Sequence, residues 1–180
     1  FRNLARIILL LLVGIATFAL FWFGMVPQRW SPFTPLQLDR PDQWFVDPKL
    51  AALRRDPLLC HATLKAPHIR ATPLPDIPIV QGCGAENSVR MFGAGRARLP
   101  AERLTCEMAA GLALWLTHDV QPAATAILGQ RVASVSQIGT YSCRNIIGSN
   151  LWKGVRSQHA TANAIDISGF TLEDGRQISL

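Results

Sequence analysis

The feature that most constrains this chain is an uncharged, apolar stretch of twenty residues from Ile7 to Val26. At about 1.5 Å per residue, a helix of this length spans the roughly 30 Å hydrocarbon core of a bilayer. Arg2 and Arg6 precede the stretch, as cytoplasmic anchors commonly do, and Trp22 lies toward its far end, where indoles favour the headgroup region. We therefore predict a transmembrane anchor over residues 1–27.

A cleaved signal peptide is the alternative interpretation of this N-terminus. Signal peptides also begin with positive charge and continue with apolar residues, but their apolar region usually runs only about 7 to 15 residues. No small-x-small cleavage site stands out after Phe23. We therefore expect a single-pass inner membrane protein whose C-terminal domain lies in the periplasm. Because the chain starts at Phe1 rather than at Met, we also expect residues before it.

All four cysteines follow the apolar stretch, and none belongs to a C-x-x-C pair. An even number of cysteines outside the cytoplasm predicts two disulfides, whereas buried free thiols are the usual state in a reducing compartment. The predicted location favours disulfides, and three pairings remain open. The candidate disulfide residues are Cys60, Cys83, Cys106 and Cys143.

The chain after the anchor divides into two parts. Prolines recur from Pro27 to Pro48, which predicts an extended tether over residues 28–56. Residues 57–180 are then long enough for one small domain with its own core. Aromatic side chains in the tether are costly to leave in water, so we expect them to dock on the domain, on the membrane or on a neighbouring membrane protein. These side chains are Trp30, Phe33, Trp44 and Phe45.

Local patterns within the domain predict an α+β fold with an antiparallel sheet. Apolar residues at helical spacing predict a helix from about Ala101 to Val120, and a shorter helix follows from Pro122 to Leu128 before Gly129. The run from Arg131 to Tyr141 is rich in β-branched and hydroxyl residues and predicts a strand. Asp174-Gly175 between two apolar runs predicts a hairpin.

The charge of the chain argues against nucleic-acid binding. Removing Arg2 and Arg6 from the 18 basic residues leaves 16 against 12 acidic ones, a net charge of +4 beyond the anchor. This excess is small and dispersed, whereas nucleic-acid binding needs a concentrated basic patch. It suits a solvated surface or a position near anionic headgroups or wall polymers.

One segment near the C-terminus carries candidate metal ligands. Strand alternation places Ile165 and Ile167 on one face and Asp166 on the other, and His159 precedes Asp166 by seven residues. If the small residues between them fold back, an imidazole and a carboxylate can meet around one ion. This is suitable zinc chemistry, but a catalytic zinc normally has three protein ligands and one open position.

The same segment resembles the S-x-H-x-x-G-x-A-x-D motif of zinc D-alanyl-D-alanine peptidases through Ser157, His159, Ala164 and Asp166. The resemblance implies that His159 and Asp166 are zinc ligands, with Ser157 and Ala164 as supporting motif positions. Ala162 stands where the motif has Gly, a departure that alanine tolerates if the local φ is negative.

A wider set of blocks resembles the bacterial extensin-like C-terminal domain family over about residues 58–180. In chain order the blocks are Gly82-Cys83-Gly84, Cys106 with Met108-Ala109-Ala110, Trp115, Pro122-Ala123-Ala124, Tyr141-Ser142-Cys143-Arg144 and the segment from Ser157 to Phe170.

Arg144 matches the arginine upstream of the peptidase zinc motif. The resemblance implies a catalytic role for Arg144 in polarising a peptide carbonyl or holding a carboxylate, and a guanidinium suits both tasks. The alternative is a structural salt bridge. Related peptidases also take a third histidine ligand and an acidic general base from a later segment, and no histidine follows His159 here. We therefore expect the domain to continue beyond Leu180.

Three hypotheses for function follow. The first is a membrane-anchored, zinc-dependent peptidase of peptidoglycan peptides, or a relative that keeps its fold. The second is a non-catalytic accessory subunit of an integral membrane complex, bound through the transmembrane helix and the aromatic tether. The third is a domain that binds a wall polymer without cleaving it. The sequence leaves open whether the protein is an enzyme, because the third ligand and the general base are missing.

Overall fold

The structure, a computed structural model, describes residues 2–180, which form five α-helices and eight β-strands. The helices are α1 (Arg2–Trp22), α2 (Val46–Arg55), α3 (Pro57–Thr63), α4 (Cys106–Trp115) and α5 (Gln121–Leu128). The strands are β1 (Arg70–Pro73), β2 (Ile77–Val80), β3 (Cys83–Ala85), β4 (Ser88–Ala94), β5 (Ala97–Thr105), β6 (Val132–Gly139), β7 (Asp166–Leu172) and β8 (Gln177–Ser179). The mixed composition confirms the predicted α+β class.

The main sheet has six strands within the described chain, in the order β1-β4-β5-β6-β7-β8. All neighbours pair antiparallel except β5 and β6, which are parallel. A parallel pair needs a long crossover connection, and α4 and α5 supply it. Strands β2 and β3 form a separate two-stranded sheet.

The helix predicted from Ala101 begins five residues later than expected. Residues 97–102 alternate between buried and exposed side chains, as a strand in a half-buried sheet does, so Ala101 belongs to β5. The Thr105 hydroxyl then accepts a hydrogen bond from the Met108 amide at 3.2 Å, which caps the start of α4. The small residues Ala109 and Ala113 are fully buried, and they let α4 pack closely on the sheet.

Between α4 and α5 the helix widens into a π-helical turn at Leu116–Val120, where the Gln121 amide bonds to the Leu116 carbonyl. The wider turn precedes Pro122, which has no amide hydrogen to donate. Helix α5 ends at Gly129, whose φ of 69° is the left-handed conformation expected of a C-cap. The predicted short helix is thus confirmed.

The predicted strand after Arg131 and the predicted C-terminal hairpin are both confirmed. Strand β6 runs from Val132 to Gly139, and strands β7 and β8 pair antiparallel across the turn. Gly175 has a φ of 87°, which explains why the turn uses glycine.

Helix α1 is long enough, at 21 residues or about 31 Å, to cross a membrane. None of the side chains of Arg2–Trp22 is buried against the rest of the protein. An apolar helix whose side chains are not buried by protein needs an apolar surrounding, and this supports the membrane anchor predicted from the sequence.

The segment 28–56 differs from the predicted extended tether. It contains a 3₁₀ turn at Gln28–Trp30 and the helix α2. Leu36, Leu38 and Leu53 from this segment are buried in the same hydrophobic core as the sheet and α4. The segment therefore folds onto the domain despite its prolines. Burial of its leucine side chains in the core stabilises this arrangement relative to an extended, solvent-exposed chain.

Both predicted disulfides are present. Cys60 is bonded to Cys106, which joins α3 to the start of α4. Cys83 is bonded to Cys143, which joins β3 to the segment that follows β6. The described chain has no free cysteine.

Candidate metal centre

His159 and Asp166 meet at one end of the sheet, where β6 ends and β7 begins. Asp166 is the first residue of β7 and lies opposite Gly139, the last residue of β6. His159 belongs to a 3₁₀ turn at Gln158–Thr161 that folds back over this end. The seven-residue spacing in the sequence thus corresponds to a turn that returns to the start of its own strand.

The His159 imidazole is held between two oxygen atoms. Its Nδ1 atom lies 2.8 Å from the Thr140 carbonyl oxygen, and its Nε2 atom lies 3.3 Å from Asp166 Oδ1. Because a carbonyl oxygen can only accept, Nδ1 carries the proton and donates it to Thr140. His159 is only 8% exposed, so this orientation is enclosed by protein.

The orientation leaves Nε2 as the ring nitrogen that faces the carboxylate. If Nε2 is unprotonated, its lone pair points at an oxygen that also carries lone pairs, and a cation between them would relieve the repulsion. A backbone carbonyl on the distal nitrogen is the usual way in which a metal-binding histidine is oriented. A second proton on the ring would instead make a direct ion pair with Asp166.

The distance between the two atoms suits a tetrahedral zinc ion. Ligand atoms lie about 2.0 to 2.1 Å from zinc, and two of them at a tetrahedral angle are then about 3.3 Å apart. The observed Nε2 to Oδ1 distance is 3.3 Å. The side chain of Asp166 is 48% exposed, so solvent or a ligand can reach the pair from one side.

The described residues, 2–180, bring no group of three histidine, cysteine or acidic side chains together. His159 and Asp166 are therefore a two-ligand arrangement within this part of the chain.

The supporting motif positions have local structural roles. The Ser157 hydroxyl accepts a hydrogen bond from the His159 amide at 3.3 Å and so caps the 3₁₀ turn. Ala164 is half-buried just before β7. Ile165 and Ile167 pack against the hydrophobic core, as strand alternation predicted. Ser157 thus helps to fix the turn that carries the imidazole.

Ala162 does not have the negative φ under which alanine would replace the motif's glycine without strain. Ala162 has a φ of 56° and ψ of 25°, the left-handed region, where it ends the 3₁₀ turn. Its carbonyl oxygen accepts a hydrogen bond from the Thr105 amide at 2.9 Å, which fixes the turn against the end of β5. The chain reverses direction here through a positive φ, which explains the glycine of the peptidase motif. Alanine adopts this conformation only under strain.

Arg144 lies on a segment that pairs with the His159 turn. The Ser142 amide donates to the His159 carbonyl, and the Ser157 amide donates to the Arg144 carbonyl, each at 3.0 Å. The Cys83–Cys143 disulfide fixes the residue directly before Arg144. The half-buried Arg144 forms no salt bridge with the acidic residues of the described chain.

A protruding loop continues from this pairing. Its base is closed by a bridge between Asn145 and Arg156, and Arg156 Nε donates to the Gln81 carbonyl at 2.9 Å. Four apolar side chains are exposed along the loop, namely Ile147, Leu151, Trp152 and Val155. The loop thus presents apolar surface beside the His159 turn.

A cleft of about 410 Å³ with a mixed polar and apolar lining lies beside the same turn. Gln158, Thr161 and Asn163 line it together with Thr105 and Glu86. Thr105 Oγ1 donates to Asn163 Oδ1 at 2.9 Å, which holds one wall of the cleft to the cap of α4. The cleft offers the amide and hydroxyl groups of residues near His159 in the chain, whereas His159 and Asp166 do not line it.

Two contributors to this site could not be predicted from the sequence. The Thr140 carbonyl orients the imidazole, and Gly139 lies opposite Asp166. Every residue has a carbonyl, so no residue type could reveal the first. Only strand pairing, a property of the folded chain, could reveal the second.

Comparison with protein families identifies the family of this chain. The family described as Extensin-like protein C-terminus matches residues 58–180, which include both disulfides, Arg144, His159 and Asp166. Comparison with curated proteins and with solved structures gives no significant match.

Proposed function

Since this chain belongs to the extensin-like C-terminal family, we propose that it is a membrane-anchored, periplasmic member that binds zinc and acts on peptidoglycan peptides. The observation that carries the proposal is the distance of 3.3 Å between His159 Nε2 and Asp166 Oδ1, with Nδ1 bonded to the Thr140 carbonyl. Burial, tautomer and spacing all suit a metal ligand pair. The resemblance to zinc D-alanyl-D-alanine peptidases supports the substrate class.

The residues around the pair have distinct roles in this proposal. His159 and Asp166 hold the metal, and the Thr140 carbonyl keeps the imidazole in the tautomer that presents Nε2. Zinc at such a site supplies Lewis acidity and an activated water. Arg144, which the Cys83–Cys143 disulfide holds next to the His159 turn, binds the carboxylate or carbonyl of a peptide.

The cleft beside the turn supports a peptide ligand. Gln158 and Asn163 offer amide groups, and Thr161 offers a hydroxyl, which can pair with the amide and carbonyl groups of a peptide. The proposal requires a third metal ligand from outside residues 2–180 or from solvent. It also requires α1 to hold the domain on the periplasmic face.

Metal analysis of the full chain, purified in detergent, tests this proposal. We expect one bound zinc per chain, and we expect His159→Ala or Asp166→Asn to weaken zinc binding by at least about 100-fold. His61→Ala is the matched control, because His61 lies in α3, away from the pair, and should retain zinc. A full chain that binds no zinc, or that binds it equally well without His159, would contradict the proposal.

The accessory-subunit hypothesis is the second candidate. The exposed side chains of α1 and the apolar loop residues Ile147, Leu151 and Trp152 favour it, since both are available to a partner. Stoichiometric co-purification with an integral membrane complex, lost on changing Leu151 and Trp152 to serine, would support this candidate. Zinc binding that depends on His159 would favour the first.

A further inference from the structure

The chain from the last residue of α1 to the start of α2 carries a group of exposed aromatic side chains that the proposed zinc site does not use. Trp44 is 61% exposed and Phe33 is 64% exposed. Large apolar side chains grouped on a surface usually mark a contact with a membrane or a partner. We name this group the aromatic collar, and its members are Trp22, Trp30, Phe33, Trp44 and Phe45.

The collar does not extend away from α1 but returns to it. The Phe33 ring packs edge-on against Phe18 and Phe21, with ring centroids 6.0 and 6.4 Å away. Phe18 lies four residues, or about 6 Å along the helix axis, before Trp22. Phe33 therefore lies beside the last turn and a half of α1 rather than beyond its end.

Hydrogen bonds and ring contacts hold the rest of the collar in place. The Trp44 amide donates to the Arg29 carbonyl at 2.8 Å, and the Trp30 and Trp44 ring centroids are 6.0 Å apart. The Arg29 guanidinium lies 4.9 Å from the centre of the Trp30 ring. Thr34 Oγ1 donates to the Gln28 carbonyl at 2.7 Å. The indoles are thus preorganised next to the end of α1.

We propose that the aromatic collar lies in the headgroup region of the bilayer and holds the domain flat against the membrane. The inference rests on α1 crossing the bilayer. If α1 does so, its contacts with Phe33 place that ring at the edge of the hydrocarbon core. Tryptophan favours this region because its ring is apolar and its N–H is polar, and Trp22, Trp30 and Trp44 are all available there.

The charges of the segment indicate that the contact does not depend on anionic lipid. Arg29 and Arg40 are balanced by Asp39 and Asp42 in the same stretch. Binding therefore rests on the aromatic rings, and we expect it to persist in bilayers of phosphatidylcholine alone and at high salt.

Fluorescence quenching by brominated phosphatidylcholine in nanodiscs tests the proposal on the full chain. The chain has five tryptophans. If they emit equally and Trp22, Trp30 and Trp44 face lipid, the quenchable fraction should fall from roughly three fifths to roughly one third in the variant Trp30→Phe/Trp44→Phe. Trp115→Phe is the control, because Trp115 packs against Phe170 in the domain, and the quenchable fraction should rise.

The remaining outcomes overturn the proposal. An unchanged or increased quenchable fraction in the double variant would show that Trp30 and Trp44 face water or protein. Emission from them that neither brominated lipid nor acrylamide quenches would show that a protein covers the collar. The measurement does not involve zinc, so a failed collar and a failed metal site are distinguishable.

Discussion

Ala162 holds a backbone conformation that its side chain disfavours. The residue is fully buried and has a φ of 56° at the turn that carries His159. For a residue with a Cβ, the left-handed conformation costs about 1 to 2 kcal/mol. A buried methyl group contributes about 0.8 kcal/mol in the opposite direction. The alanine therefore persists where glycine would fit because the two effects nearly cancel.

Two substitutions separate these effects. We expect Ala162→Gly to change the free energy of unfolding by less than about 1 kcal/mol, because strain relief offsets the lost methyl group. We expect Ala162→Val to destabilise by about 3 kcal/mol, because a β-branched residue is strained at this φ and the site has no room. Urea unfolding in detergent measures both.

The matched control is Ala164→Val, two residues away on the same segment. Ala164 is half-buried and does not have a positive φ, so its replacement should cost about 1 kcal/mol or less. Equal costs at the two positions would contradict the conformational explanation.

At the scale of elements, the two disulfides are expected to stabilise the fold by similar free energies but have different structural roles. They join residues 46 and 60 positions apart, and chain entropy predicts about 4 kcal/mol of stabilisation from each. The Cys60–Cys106 bond joins helices, whereas Cys83–Cys143 fixes the segment that pairs with the His159 turn. The second bond therefore supports the geometry of the site as well as the fold.

Replacing each pair of cysteines by alanine tests this difference. Both double variants should unfold at clearly lower temperature, but only Cys83→Ala/Cys143→Ala should also weaken zinc binding by the folded protein, by about tenfold. Cys60→Ala/Cys106→Ala is the control for general loss of stability. An equal loss of zinc affinity in both variants would assign the effect to stability alone.

The elements that the sequence predicted well are those with a local cause. The hairpin at Gly175 and the end of α5 at Gly129 both need a positive φ, and a glycine in the sequence indicates such a position. The start of α4 was misplaced because alanine and leucine suit both a helix and a buried strand. Burial of Leu36 was not foreseen, since it depends on a distant core surface. The Thr140 carbonyl was missed because no residue type specifies it.

The whole molecule consists of one helix without buried side chains and one domain. The hydrophobic core of the domain includes residues that precede the region 58–180 matched by the family. Removing residues 1–26 should leave the unfolding temperature nearly unchanged, because α1 contributes no buried residue. Removing residues 1–56 should destabilise the remainder by several kcal/mol, because Leu36, Leu38 and Leu53 each contribute about 1.5 to 3 kcal/mol when buried. Thermal unfolding of the two truncated chains measures the difference. Equal stability of both truncated chains would contradict a contribution of residues 28–56 to the core and would show that they act only as a tether.

The packing of residues 28–56 on the domain also limits the distance between the site and the end of α1. Fully extended, these 29 residues could reach about 100 Å. Because they are packed on the domain, they add little to the distance between α1 and the rest of the domain. A domain of about 150 residues has a radius of gyration near 15 Å, so every part of its surface stays within a few nanometres of the end of α1. If α1 crosses a membrane, molecules that bind this domain must come to the membrane surface.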